Sequence, residues 1–113
     1  MNGVIPLDVF NVEVAVFAKD KHRRKFLRGE GLSPEKHSDA CFASAHMDIG
    51  PDGKAWFSMV IKPEATQATW AHECVHIADF LMDRLGIPTG AENTEIRAYI
   101  VGRLFAGLQE VLT

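Results

Sequence analysis

The chain has 113 residues, with 12 Lys and Arg against 15 Asp and Glu, a net charge of −3, five His, two Cys and nearly half apolar side chains. That length fits one domain spanning residues 1–113, and the composition excludes wholesale disorder, a Cys-rich disulfide or metal scaffold, and any apolar run near the ~20 residues of a membrane span. The opening Met1-Asn2-Gly3-Val4-Ile5-Pro6 has neither the basic nor the long apolar region of a secretory signal, so a reduced, cytoplasmic protein is expected.

Val9 to Phe17 alternates, with Phe10, Val12, Val14 and Val16 on one side and Asn11 and Glu13 on the other, the pattern of a half-buried strand. Lys19 to Arg28 then holds six of the twelve basic residues and one acid, leaving six bases against fourteen acids elsewhere. Such a block forms a solvated turn or short helix, or a patch for phosphates. Gly29-Glu30-Gly31 and Ser33-Pro34-Glu35 read as turn or loop. Residues 41–48 and 54–62 are apolar runs separated by Gly50-Pro51-Asp52-Gly53, a strong turn signal, and together they predict a β-hairpin. Pro63 ends the second strand.

From Glu64 the period becomes helical: Ala71, Cys74, Val75, Ala78, Leu81, Met82 and Leu85 share one arc, until Gly86 and Pro88 stop the helix. A second helix is expected from about Ala91 to Val111, with Val101, Leu104, Phe105, Leu108 and Leu112 on its apolar side. The expected class is α+β: a three-stranded, mainly antiparallel sheet followed by two helices.

The first of these helices carries His72-Glu73-Cys74-Val75-His76, an H-E-x-x-H. Positions i and i+4 lie on one helix face, so both imidazoles can reach one ion. They project away from the apolar arc, whereas Cys74 points into it. Asp79 and Asp83 share the histidine face and are placed to accept hydrogen bonds from the ring N–H groups. A catalytic zinc takes three protein ligands, so a third is sought on the next helix, among Glu92 and Glu95. Glu95 is preferred because it lies opposite its own apolar stripe, with Gly102 and Ala106 leaving that side open; Glu92, in the first turn, suits a capping or dipole-favoured acid. Tyr99, one turn beyond Glu95, is a candidate for a ligand or substrate contact. The ligand set points to one Zn2+ ion.

The run Ala71-His72-Glu73-Cys74-Val75-His76, a Gly-containing link, and Asn93-Thr94-Glu95-Ile96-Arg97-Ala98-Tyr99 resembles small phage-encoded zincin-like proteins, and more broadly a minimal gluzincin metallopeptidase. The resemblance covers roughly residues 40–110. It implies a zinc-dependent peptide hydrolase in which His72, His76 and Glu95 bind the metal and Glu73, as general base, activates a zinc-bound water. It also implies a peptide or protein substrate lying along an edge strand, here residues 41–48. On that strand Phe42, Ser44, His46 and Asp48 share a face, making His46 a candidate for the oxyanion. Two other functions fit the residues. One is a zinc-binding protein that acts through contacts, alone or with a partner, without cleavage. The other is a nucleic-acid-associated protein using residues 19–28; no membrane partner is expected.

Overall fold

The computed structural model describes residues 2–38 and 40–113; Met1 and Asp39 lie outside them. The elements run β1 (Gly3–Leu7), β2 (Val12–Phe17), α1 (Asp20–Gly29), β3 (Ala43–Ile49), β4 (Ala55–Ile61), α2 (Gln67–Arg84) and α3 (Thr94–Leu112), with 3₁₀ turns at Asp8–Phe10 and Ala91–Asn93. No described helix is long and apolar enough to cross a membrane.

The class is α+β, but the expected three-stranded, mainly antiparallel sheet is corrected. Four strands form one mixed sheet in the order β1-β2-β4-β3, with β2 and β4 parallel and both outer pairs antiparallel. Two features account for the difference. β1 is short and contains Pro6, which an edge strand tolerates because the missing N–H costs no ladder bond on its open side; Pro6 sits opposite Glu13. The basic block forms a ten-residue helix, α1, on the far face of the sheet. Its passage from β2 to β4 is long enough for a parallel pairing, which no tight turn could make.

The hairpin is present, β3 and β4 pairing from Ala43 with Ile61 to Ile49 with Ala55, and the turn closes through Gly53 N–H to Gly50 O at 2.9 Å. The first strand of the alternating run begins later than expected, at Val12. Residues 8–10 form a turn that ends at Asn11, whose φ of 54° places it in the left-handed region that Asn tolerates.

α2 and α3 cover one face of the sheet. Ile5, Leu7, Val14, Val16, Phe57, Met59 and Ile61 meet Cys74, Ile77, Leu81, Ile100, Leu104 and Leu108 there in a continuous apolar core. α3 lies close against β1 at Gly107, where a Cβ would come within 2.5 Å of Ile5. Close approach is therefore made at Gly107 towards the sheet, while nothing lies within 4 Å of a Cβ built at Gly102. α2 is delimited by local chemistry. Thr66 accepts from Thr69 N–H at its start, and Gly86 (φ 72°) ends it with Gly86 N–H to Asp83 O and Ile87 N–H to Met82 O, the paired bonds of a Schellman motif.

Candidate metal centre

α2 packs against both the edge strand β3 and α3. Trp70, Cys74, Ile77, Ala78, Leu81 and Met82 enter the core, which leaves His72 and His76 on the exposed side and Glu73 between the two faces, about 100° round the helix from His72. The Nε2 atoms of His72 and His76 are 3.0 Å apart, and the rings stand edge to face with centroids 4.7 Å apart. At that distance one neutral imidazole donates to the other. Two nitrogens bound at about 2.05 Å to one tetrahedral zinc would be roughly 3.3 Å apart, so a small rotation of either ring suits both to a shared ion.

Glu73 is only 6% exposed. Among the described residues no hydrogen bond or ion pair reaches its carboxylate. One ligand atom from each of His72, Glu73 and His76 lies within 4.8 Å of the others. The Glu73 oxygens are not among the unpartnered side-chain atoms closed off from solvent, so the carboxylate keeps a path to water or to an ion beside the imidazoles. The donor chemistry of the cluster, two imidazoles and a carboxylate, suits zinc and other first-row divalent ions. Next to Glu73, Cys74 is fully buried, and burial together with the neighbouring carboxylate pushes its thiol up to about 12, so it serves as a small core residue.

The other residues singled out from the sequence fall elsewhere. Glu95 is exposed in the first turn of α3 and is not among the three clustered side chains. Near the start of α3 the residue that reaches α2 is Arg97, whose guanidinium binds both carboxylate oxygens of Asp79 at 2.9 and 3.2 Å. Arg97 and Glu95 are about 200° apart on the helix, so Glu95 projects away from α2. For two helices lying side by side on a sheet, the position opposite the core looks to solvent, not to the neighbouring helix. Glu92 is also exposed, its carboxylate folded back beside Gly90. No hydrogen bond or ion pair holds Glu92 or Glu95 among the described residues. Tyr99 is half exposed and its ring leans on Phe10, 6.5 Å between centroids, outside the cluster. Asp79 is committed to Arg97 and does not support the imidazoles as expected; Asp83 is exposed and bonds neither ring.

His46 lies apart from the cluster as well. It does lie on the edge strand, but on the face turned to α1, with the sheet between it and α2; the β3 residues packed against the main core are Ala43, Ala45 and Met47. Its Nε2 lies 2.7 Å from Ser44 Oγ and its ring meets His37 edge to face at 5.2 Å. Burial, reinforced by Arg23 and His37, holds it down to about 4, so the ring is neutral near pH 7.

Sequence reasoning missed the residue that fastens this strand from behind. Arg23 is 1% exposed and donates to Asp20 at 2.8 Å, Asp48 at 3.1 Å and the Glu35 carbonyl at 2.9 Å, joining α1, β3 and the loop between them. The available signals were the single acid inside the basic block, three residues before Arg23, and Asp48 on the polar side of β3.

No family model, curated protein or solved structure matches the chain.

Proposed function

We propose that this protein is a zinc-dependent peptide hydrolase whose centre is built on α2. The observation that carries the reading is the grouping of the Glu73 carboxylate, which no donor among the described residues occupies, with two imidazoles whose Nε2 atoms lie 3.0 Å apart. His72 and His76 would hold the ion as neutral ligands, and Glu95 is the proposed third, which requires the first turn of α3 to swing towards α2 when the ion binds, since its carboxylate faces solvent in this structure. Bound zinc supplies Lewis acidity, polarising a peptide carbonyl and lowering the pKa of water towards ~7. Glu73 takes a proton from the attacking water and passes it to the departing amine. Its burial holds the carboxylate in one place, and the edge of β3, which has no strand partner on its outer side among the described residues, offers backbone groups to an extended peptide.

A second reading rests on Glu73, and not Glu95, being the carboxylate in the cluster. Glu73 would then be the third ligand of a zinc-binding protein that works through contacts without turnover. Metal analysis of the purified protein, with peptide-library hydrolysis run with and without chelator, separates the two. Hydrolysis predicts about one zinc per chain, loss of metal in His72→Ala and Glu95→Ala, and a Glu73→Gln protein that keeps zinc while turnover falls at least ~100-fold. Loss of zinc from Glu73→Gln favours the ligand reading, and equally low zinc in every protein ends both.

A further inference from the structure

On the opposite side of the sheet, α1 presents a charged surface that the metal centre does not use. Of its basic residues, Arg23 and Arg24 are neutralised by Asp20, with Asp48 also binding Arg23. Lys21, Lys25 and Arg28 are exposed and form no ion pair among the described residues. Spaced i, i+4 and i+7, they make one stripe along the outer face, successive Cβ atoms about 6 Å apart. Phe26, next to Lys25 in the chain, lines two hollows: one of about 560 Å³ that it shares with Lys25, and a groove of about 470 Å³ that it shares with Trp56 and Lys54 and that no residue of the stripe lines. Phe26 and Trp56 meet edge to face at 6.0 Å, and Lys54 Nζ lies 4.5 Å over the indole.

We propose that the α1 stripe and the Phe26–Trp56 groove together bind single-stranded nucleic acid. The cations follow a phosphate backbone, and the partly exposed rings give unpaired bases a surface to stack on. Glu13 also lines the groove, so phosphates are kept to the α1 side and bases turned towards the sheet. A duplex hides its base faces and has no use for the rings. A membrane fits less well, because the apolar side of α1, with Leu27 buried, is spent on the sheet and none remains to insert. An acidic peptide would use the stripe but leave the groove unexplained.

The test is fluorescence anisotropy of the whole protein with labelled oligo-dT of about fifteen nucleotides, a length within the range of single-strand sites. Three phosphate contacts predict a log–log salt slope near −2, so affinity falls about 20-fold between ~50 and ~200 mM salt. Reversing the stripe with Lys21→Glu, Lys25→Glu and Arg28→Glu weakens binding more than about tenfold while the melting temperature, read by circular dichroism, stays close to the parent's. Trp56→Ala weakens it about tenfold and Trp56→Phe restores most of the loss. Absence of binding at low salt, unchanged binding by the triple reversal, or equal affinity for a duplex of the same length or for phosphatidylserine vesicles overturns the proposal.

Discussion

The two faces of the sheet are held by different physics. On the α2–α3 face, stability comes from apolar burial: Leu81, Ile77, Leu104 and Leu108 are closed off from water against Val14, Val16 and Met59. On the α1 face only a small apolar set, Phe17, Leu27, Leu32 and Val60, is buried, and a fully enclosed guanidinium takes the place of further core. Burial by area tolerates changes in detail, whereas burial by ion pairing depends on every partner being present. The face that carries the imidazoles is thus the robust one, and the face that fixes the edge strand from behind is the brittle one.

The largest effect should follow from breaking that brittle side. Arg23→Ala leaves Asp20 buried without its main partner and should cost about 3–5 kcal/mol in urea unfolding. Arg23→Lys keeps the charge but not the three-way fork and should recover roughly half or less. A cost no larger than about 1 kcal/mol for Arg23→Ala would show that the two faces do not differ in this way.

A smaller effect appears on titration. The ring of His46 is held at about 4 in the folded chain against 6.5 when unfolded, so below pH 6.5 the unfolded chain gains a proton that the folded chain refuses. Stability should therefore fall from pH 6.5 towards pH 4, by about 1–2 kcal/mol after allowance for solvent screening of a partly exposed ring, and His46→Asn should flatten that limb of the curve. Asp20 acts at lower pH. Its carboxyl is displaced by burial, which raises it, and more strongly in sum by Arg23, the His37 N–H and Arg24, which lower it, so its contribution is present above about 3.8 and disappears as pH falls through the depressed value.

The smallest effect belongs to the α2–α3 face. Asp79 and Arg97 are each 40% exposed. A double-mutant cycle on them should give no more than about 1 kcal/mol despite the two-pronged geometry, because solvent screens the pair. A much larger coupling would mean that ion pairing matters on this face as well.

Legibility followed the same division. The helix bearing the H-E-x-x-H, its end at Gly86 and the hairpin around Gly50-Pro51-Asp52-Gly53 were readable because periodicity, capping and turn preferences act over a few residues. The edge strand containing Pro6 was too short to register. α1 hid its buried side behind charged side chains, since Arg23 looks like a solvated residue until Asp20 and Asp48 surround it. At the proposed metal centre, the pairing of His72 with His76 follows from spacing along one helix. The placement of Glu95 needed the relative rotation of two helices, and the face presented by His46 needed to be known from the side on which each helix packs.

By itself the sequence determined the local pieces: which segments coil, which extend, where they stop, and that two imidazoles share a helix face. Tertiary structure alone decided that β2 and β4 run parallel, that the basic segment backs the sheet, and that Arg97 in place of Glu95 meets α2. The reason is physical. Backbone preferences and i, i+4 geometry are short-ranged and fixed by neighbours in the chain, whereas strand order, helix rotation and the enclosure of a charge depend on groups brought together only when distant segments pack.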